Sequence, residues 1–316
     1  MRALNVPAAG EQAQLSDLPT PEATEGTVVV QVKAAGLNPL DNAVAAGFLT
    51  QWGLPHVYPV VIGRDAAGVV TAVGAGVEGI AVGDEVLGHV LLAPPISAGT
   101  LAEYAVLPAV AVTKKPAGLD FTRAAALPLA GAAAVQSIEA IDPQPGQTVL
   151  VHGASGGVGS FVLQLLAARG VTVLATGKPA DAERLTALGA SQVIDHTAGD
   201  VADQVRTNHP QGVDALVSLH GMDASATPIG AVRSGGKVAG VAGVPDEATL
   251  TAAGLTGGAV MASPTADVLA PLAPQAANGD LQIAVADVLT LDQATQGLGR
   301  LATGGAGGKL VVTFED

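Results

Sequence analysis

The stretch TVLVHGASGGVGSFVLQLLAARGVTVLATG, residues 148–177, decides the fold of this chain. Its β-branched and aliphatic start ends at His152 and is followed by glycines, which is typical of a strand that enters a tight turn. Apolar residues 161–168 then predict a helix packed on a sheet, and Gly170 ends that helix before a second strand at 171–175. The stretch therefore reads as one βαβ unit.

The glycine turn of this unit is a candidate phosphate site. The strict GxGxxG fingerprint fails at Ala154, and chance spacing is a real alternative in a chain with 41 glycines. The flanking strand, helix and second strand nevertheless favour dinucleotide binding, because the free N–H groups and the dipole at a helix start suit a pyrophosphate. The candidate residues are Gly153, Ser155, Gly156, Gly157, Val158 and Gly159.

Composition narrows the classes of protein. A chain of 316 residues with 49% hydrophobic and 13% charged residues can build two domains with sizeable cores. The net charge of −14 argues against a nucleic-acid or anionic-membrane surface, so small molecules are the expected partners. The longest apolar run, 124–135, contains Pro128 and predicts no membrane span. Because Cys is absent, disulfides and thiolate zinc sites are excluded, and we expect a cytoplasmic protein.

Two halves differ in their patterning. The first third is predicted to be all-β, with short strands at 1–5, 27–34, 69–73, 85–92 and 101–107. Residues 123–141 predict a helix broken at Pro128, and helices and strands then alternate as in a doubly wound parallel sheet. The remaining predicted elements are helices at 181–188, 201–208, 266–278 and 291–302 and strands at 192–195, 215–219, 237–241 and 309–314.

Seven segments together resemble one family along nearly the whole chain. They are AAGLNPLD (34–41), PVVIGRDAAGVVTAVGAGV (59–77), VGDEVLG (82–88), GTLAEYAVLP (99–108), AALPLAGAAAVQSI (125–138), PGQTVLVHGASGGVG (145–159) and GKLVV (308–312). The chain resembles the medium-chain dehydrogenase/reductase superfamily, and within it the zinc-independent, zeta-crystallin-like quinone oxidoreductases.

The resemblance implies an α/β protein made of two domains. A GroES-like β-barrel catalytic domain would span 1–122 and be completed by 264–316, and a Rossmann domain with a doubly wound parallel sheet would span 123–263. NAD(P)H is expected in the cleft between them. The family also implies a homodimer formed through the last Rossmann strand, near 258–263.

The zinc ligands of related alcohol dehydrogenases are replaced here. Asn38 stands where those enzymes carry the first Cys ligand, and Gly63, Arg64 and Asp65 stand in place of their Gly-His-Glu segment. The Cys-rich lobe is replaced by a short loop at 93–99. Without zinc, we expect hydride delivery to an acceptor that is already electrophilic, such as a quinone or a conjugated enone.

The end of the second strand favours NADPH. An NAD enzyme would place Asp or Glu there, whereas this chain has Thr176, Gly177 and Lys178, which suit a 2′-phosphate. His196 stands where relatives have an aromatic residue beside that phosphate. The alternatives are a surface lysine at 178 and a histidine at 196 without a ligand.

Candidate catalytic residues lie in the first domain. The family uses an amide at Asn38 to contact the nicotinamide ribose or the substrate carbonyl, although an Asn before Pro also shapes turns; Asp41 follows on the same loop. Arg64 is either a substrate contact or the partner of Asp65 in a structural salt bridge. Ala43 and Ala133 stand where relatives carry Tyr or Lys and Thr near the nicotinamide, which widens the pocket or weakens catalysis.

Further cofactor contacts are predicted at later strand ends. Leu219 and His220 follow the fourth Rossmann strand, and His220 is either a proton donor or a packed or solvated histidine. Ala242, Gly243, Val244, Val260 and Ala262 are expected to bring backbone groups to the carboxamide, as the matching segments do in the family.

Three functions follow from the sequence. The first is an NADPH-dependent quinone or enone reductase. The second is an enoyl reductase acting on a biosynthetic thioester or polyketide-like intermediate. The third is a non-catalytic NADPH-binding sensor or structural protein.

Overall fold

The computed structural model of the chain describes residues 1–221, 223–304 and 306–314. These residues form two compact units. The first contains Met1–Ala132 together with the described residues from Ser263 onward, and the second contains Ala133–Ala262. The sequence predicts a domain boundary at 122/123. In the structure the first unit extends to Ala132, and helix Phe121–Ala126 packs against the sheet of that unit.

The first unit is built around a seven-stranded sheet. Its strand order is β15-β16-β3-β5-β6-β8, and β7 also pairs with β3; a three-stranded sheet has the order β2-β1-β4. Two short helices, α1 (Pro39–Ala45) and α2 (Phe121–Ala126), accompany the strands. The strands are β1 (Arg2–Val6), β2 (Gln14–Asp17), β3 (Thr27–Leu37), β4 (Val60–Val61), β5 (Asp65–Val73), β6 (Glu85–His89), β7 (Tyr104–Pro108) and β8 (Val112–Lys114).

The end of the chain returns to this sheet. β16 pairs antiparallel with β3, so that Leu310 lies opposite Leu37, and β15 pairs with β16. This pairing brings the start of β16 next to the end of β3. The elements of this segment are α8 (Ala266–Leu269), α9 (Leu272–Asn278), β15 (Val285–Thr290), α10 (Ala294–Thr303) and β16 (Lys309–Thr313).

The second unit holds a six-stranded parallel sheet of order β11-β10-β9-β12-β13-β14. The strand order reverses between β9 and β12, which makes the carboxyl edge there the expected ligand site of an open α/β sheet. Helix α3 (Pro128–Ile141) begins in the first unit and continues into the second from Ala133. The other elements of the second unit are β9 (Thr148–His152), α4 (Gly157–Ala168), β10 (Thr172–Gly177), α5 (Ala182–Ala187), β11 (Gln192–Asp195), α6 (Val201–Asn208), β12 (Val213–Ser218), β13 (Val232–Gly240), α7 (Glu247–Ala252) and β14 (Thr256–Ala259).

Burial explains why these segments form strands. Residues 149–152 of β9 are all buried, as are residues 215–218 of β12, because parallel strands covered by helices on both faces read as continuous aliphatic runs. Each unit has its own apolar cluster, one around Val30, Leu37 and Leu310 and the other around Leu150, Leu174 and Leu216. The predicted fold class, a GroES-like domain with a Rossmann-like parallel sheet, is confirmed.

Helix boundaries also follow local chemistry. Pro128 is the first residue of α3, a position at which proline loses no helical hydrogen bond, so the predicted break at Pro128 separates α2 from α3. Among the helices that the structure describes, none is both long and apolar enough to cross a membrane.

Candidate functional site

The glycine turn after β9 needs its glycines for space and for backbone conformation. Gly153 has φ +88°, and a Cβ added there would lie 2.9 Å from the His220 Cβ. A Cβ on Gly159 would lie 2.5 Å from the Ala154 carbonyl oxygen, so α4 packs directly on the turn. A Cβ on Gly156, by contrast, meets only the Gly153 oxygen at 3.6 Å. The backbone at Gly156, where α4 begins, is therefore open to a ligand.

The neighbouring strand β10 supports this turn. The Gly153 N–H donates to Thr176 Oγ1 at 2.9 Å, which ties the turn to the end of β10. A Cβ added to Gly177 would lie 2.5 Å from Leu185 Cδ1, so the Leu185 side chain would have to shift to admit it. Lys178 follows and is exposed, and Ser155, Gly157 and Val158 are partly exposed around the turn.

Arg184 on α5 is a residue of this site that the sequence analysis missed. Its Nη2 donates to the Ser155 carbonyl at 3.3 Å and to Asp181 Oδ1 at 3.0 Å. Its Nη1 is buried without a hydrogen-bond partner among the residues that the structure describes. A guanidinium donor that is both buried and unpaired beside a glycine turn suits an anionic ligand. The sequence signal that could have identified Arg184 is its position in the helix that follows the second strand of the βαβ unit.

Three histidines lie at the same edge of the sheet. His152 ends β9 and is 9% exposed, whereas His196 and His220 are exposed. The rings of His152 and His220 pack edge to face, with centroids 5.6 Å apart. Burial, followed by the positive charges that His220 and His196 can carry, lowers the pKa of His152 to about 4. His152 was not among the predicted site residues.

The later strand ends meet beside this turn. The Leu219 N–H donates to the His152 carbonyl at 2.9 Å, and the Thr227 hydroxyl donates to the Gly243 carbonyl. A Cβ on Gly243 would lie 2.8 Å from the His220 carbonyl oxygen, so these two loops are in contact. Val260 donates its N–H to Gly240 at 2.7 Å. The predicted residues Ala242, Val244, Val260 and Ala262 are partly exposed at the ends of β13 and β14.

A buried polar cluster occupies the first unit where β3, β5, β6 and β16 meet. Asp65 is its centre: Oδ2 accepts from Asn38 Nδ2 at 2.9 Å, and Oδ1 lies 2.6 Å from His89 Nδ1. Lys309 Nζ donates to Asn38 Oδ1 and to the Leu37 carbonyl, and lies 3.8 Å from Asp65 Oδ2. The Leu129 N–H donates a third hydrogen bond to Asp65. We call Asn38, Asp65, His89 and Lys309 the polar cluster.

Two charged groups beside the polar cluster are less fully bonded. Asp41 Oδ2 accepts the Asn38 N–H at 2.7 Å, while Asp41 Oδ1 is buried without a partner in the described part of the chain. Burial raises the pKa of Asp41 to about 7. Arg64 is 1% exposed, and its Nε and Nη2 have no partner among the described residues. Burial lowers the pKa of Arg64, and the Asp41 carboxylate opposes that shift.

Of the two alternatives for Arg64, the structural salt bridge with Asp65 is not formed. The Asp65 oxygens are hydrogen-bonded to Asn38, His89 and the Leu129 N–H. The charge that acts on the Arg64 guanidinium is the carboxylate of Asp41. The polar cluster depends on contacts between distant parts of the chain, such as the hydrogen bond from Lys309 to Asn38. A local sequence pattern does not predict such contacts.

The remaining predicted residues fall in two places. Ala43 packs on the small apolar cluster formed by Val44, Leu49, Val60 and Ile96, one helical turn from Asn38. Ala133 is 2% exposed within α3 and belongs to the second unit. The structure thus brings Asn38, Asp41 and Arg64 together in one unit and the glycine turn with its strand ends together in the other.

Metal ligands are sparse in the described residues. Within 1–221, 223–304 and 306–314, no group of three or more His, Asp or Glu side chains is arranged to hold a metal ion. The donor set of the polar cluster consists of one amide, one carboxylate, one imidazole and one ammonium that bond to each other.

Known families match both units. The family described as alcohol dehydrogenase GroES-like domain matches residues 24–117, and the family described as zinc-binding dehydrogenase matches residues 188–312. A curated relative, 2-methylene-furan-3-one reductase of Solanum lycopersicum, is 32% identical over 94% of this chain and 74% of its own length. The NADPH-dependent alkenal/one oxidoreductase of Arabidopsis thaliana chloroplasts is 35% identical over 72% of this chain and 58% of its own length.

Solved structures agree with this match. The quinone oxidoreductase from Coxiella burnetii superposes with a TM-score of 0.89 at 27% sequence identity, covering 100% of this chain and 99% of that chain. The similarity therefore extends over both units and over the segments that form the candidate site.

Proposed function

The chain belongs to the medium-chain dehydrogenase/reductase superfamily, and on that premise we propose that it is an NADPH-dependent oxidoreductase that delivers hydride to a quinone or a conjugated enone without zinc. The observation that carries the proposal is the replacement of zinc ligands by a self-bonded polar cluster, next to relatives named for alkenal/one and furanone reduction.

The second unit fits a dinucleotide. Its turn has open backbone at Gly156, and the N–H groups that begin α4 can bind the pyrophosphate. Lys178, His196 and the unpaired Nη1 of Arg184 supply the cations that a 2′-phosphate requires. For Lys178 and His196 we retain the roles beside the 2′-phosphate that the sequence predicts. When bound, NADPH supplies the hydride, and the protein supplies binding, orientation and electrostatics.

In the first unit we assign Asn38 to the positioning of nicotinamide ribose or acceptor. Lys309 holds its carbonyl oxygen and Asp65 holds one of its N–H groups, which leaves the second N–H only a long contact of 3.4 Å to Gly36. That N–H is the donor available for a ligand. We assign Arg64 and Ala43 to the acceptor side of the site, and the final proton comes from water.

Without zinc, the acceptor must be activated by its own conjugation. A quinone or enone meets this requirement, because the electrons displaced by hydride addition move to a carbonyl oxygen and the product is completed by a proton. Hydride addition to an unconjugated ketone also places the electrons on its oxygen, but the charge is not delocalised over a conjugated system, so the carbonyl needs a Lewis acid or a proton donor to activate it. We therefore expect conjugated acceptors to react and simple ketones to fail.

An acceptor screen tests this function. We would first measure NADPH binding by fluorescence and then follow loss of the reduced-cofactor absorbance with 9,10-phenanthrenequinone, 2-alkenals, enoyl thioesters and a saturated ketone. Turnover with the first two classes and none with the ketone is the expected result. Preference for enoyl thioesters would move the assignment to a biosynthetic enoyl reductase. Binding without oxidation by any acceptor would point to a non-catalytic NADPH-binding protein.

Arg184 offers a test of the cofactor assignment. We expect Arg184→Gln to weaken NADPH binding by about tenfold, the equivalent of ~1.4 kcal/mol, and to leave NADH binding nearly unchanged, because only NADPH carries the 2′-phosphate. Arg169→Gln is the matched control, since Arg169 is exposed at the other end of α4. Equal loss for both cofactors in Arg184→Gln would rule out a role in 2′-phosphate recognition.

We also propose a homodimer formed through the edge of the six-stranded sheet near residues 258–263. β14 is the edge strand there, and Met261, just beyond it, is 70% exposed. Light scattering on the eluting protein should give twice the mass of 30.8 kDa. Met261→Glu should shift that mass toward the monomer if the assignment is right.

The proposed location is cytoplasmic, and it rests on the absence of Cys from the chain. Fractionation of cells that produce the tagged protein tests it. Recovery with an organelle or periplasmic fraction would contradict it.

A further inference from the structure

His152 and His220 form a pair of imidazoles whose contact the proposed function does not explain. His152 is the last residue of β9, and His220 lies two residues beyond β12, the neighbouring strand. Their rings meet edge to face at an interplanar angle of 85°. The Leu219 N–H bond to the His152 carbonyl fixes the backbone that carries His220. The pair is therefore held by ring packing and by backbone pairing.

The two rings differ in their access to water. His152 is buried beneath the turn, and its Nδ1 lies 3.5 Å from Thr176 Oγ1. Thr176 Oγ1 already accepts the Gly153 N–H, so its own hydrogen is free to point at Nδ1, which leaves the ring hydrogen of neutral His152 on Nε2. Burial and two neighbouring imidazoles lower the pKa of His152 to about 4, and it is neutral near physiological pH.

Because like charges at this spacing repel, the two rings are not both charged at once, and of the two only His220 is exposed to water. His220 lies against the glycine turn, since a Cβ on Gly153 would approach the His220 Cβ to 2.9 Å. An anion on that turn favours the protonated form of a nearby imidazole.

We propose that His152 and His220 act as a proton-linked pair, in which His220 takes up a proton from water when the diphosphate of the dinucleotide binds at the glycine turn, and His152 holds the His220 ring in place. The inference rests on the proposed function only in taking the dinucleotide as the ligand. His220 then makes cofactor affinity depend on pH, and His152 is a positioning residue.

The other charged groups around the turn do not replace this pair. His196 adds positive charge near His152 from the end of β11. Asp195 is held by the Thr197 N–H and hydroxyl, and Asp223 by the corresponding groups of Ser225. Arg184 is paired with Asp181 and with the turn itself, and Lys178 is exposed beyond β10. Arg and Lys keep their charge across neutral pH, so the histidines carry the dependence.

The sign of the effect follows from linkage. If binding takes up a proton, affinity is highest at low pH and falls as pH rises. We expect the dissociation constant of NADPH to rise by about three- to tenfold more in the wild type than in His220→Gln between pH 6 and pH 8. The 2′-phosphate of NADPH titrates in the same range, but identically in both proteins.

The experiment combines binding curves with calorimetry. NADPH dissociation constants are measured by fluorescence at several pH values for the wild type, His220→Gln and His209→Gln. Calorimetry in two buffers of different ionisation enthalpy then counts the protons taken up. His209 directly follows α6, at the opposite end of the parallel strands from the glycine turn, and is the matched control. The wild type and His209→Gln should take up the same number, and His220→Gln should take up less, by as much as one proton.

Two outcomes separate this inference from the proposed function. Equal pH dependence in the wild type and His220→Gln overturns the proton-linked pair and leaves NADPH binding intact. No NADPH binding to the wild type at any pH overturns the proposed function itself.

Variants of His152 test its positioning role. His152→Phe keeps a ring for edge-to-face packing and should retain the extra pH dependence, whereas His152→Ala should lose at least half of it. Circular dichroism confirms that each variant is folded. The same pH dependence in His152→Ala as in the wild type would remove His152 from the pair and leave His220 acting alone.

Discussion

At the scale of single residues, the polar cluster shows how a charged group can be kept in the interior. Lys309 is 5% exposed, and burial lowers its pKa while the Asp65 and Asp41 carboxylates oppose that shift. Its ammonium is bonded to the Asn38 side chain and the Leu37 carbonyl. Buried charges survive only with such partners, because removing one partner leaves the other uncompensated.

Replacing Lys309 should therefore be costly. We expect Lys309→Met to lower the free energy of unfolding by about 3–5 kcal/mol, because Asp65 is left buried without its cation. Urea unfolding measures this change. Lys114→Met is the control, since Lys114 pairs with Asp84 on the surface at 60% exposure and should cost less than about 1 kcal/mol. Similar losses in both variants would contradict the account of the cluster.

Asp41 predicts a pH effect of its own. Burial raises the pKa of Asp41 to about 7 from its unfolded value of 3.8, so the folded state binds the proton more tightly. This group therefore contributes stability that is present below about pH 4 and is lost as pH rises toward 7. The free energy of unfolding of the wild type, relative to Asp41→Asn, should fall by on the order of 2–4 kcal/mol between pH 4 and pH 8. Parallel pH profiles would show that Asp41 does not titrate in this way.

At the scale of elements, the packing of α4 on the glycine turn shapes the candidate site of the second unit. Gly159 lies in the first turn of α4, against the Ala154 backbone, whereas a Cβ on Gly156 would meet only the Gly153 oxygen, at an ordinary contact distance of 3.6 Å. The two glycines of this motif are thus required for different physical reasons. Gly159 permits the helix to pack, and Gly156 leaves room for the ligand.

These roles separate in two variants. Gly159→Ala should lower the free energy of unfolding of the cofactor-free protein by about 1–3 kcal/mol, because its Cβ has no space. Gly156→Ala should leave stability nearly unchanged but weaken NADPH binding. Thermal unfolding and fluorescence titration distinguish them. A stable Gly159→Ala variant, or unchanged NADPH binding in Gly156→Ala, would contradict this division.

At the scale of the whole molecule, local patterns predicted most of the elements. Strand 192–195 and helix 201–208 have the predicted bounds, because turn residues and helix caps delimit them. The long-range contacts were not predictable in this way. Lys309 meets Asn38 only through the pairing of β16 with β3, and His152 meets His220 only because β9 and β12 are neighbours. The salt bridge between Arg64 and Asp65, one of the two alternatives for Arg64, is not formed for the same reason, since distant residues bond to the Asp65 carboxylate.

The central claim is that this chain reduces conjugated acceptors with NADPH and without zinc. The most direct measurement is steady-state NADPH oxidation with 9,10-phenanthrenequinone, using chelator-treated protein whose zinc content is determined by elemental analysis. We predict undiminished turnover at less than about one-hundredth of a zinc ion per chain. Activity that disappears with the metal and returns in proportion to added zinc would contradict the claim.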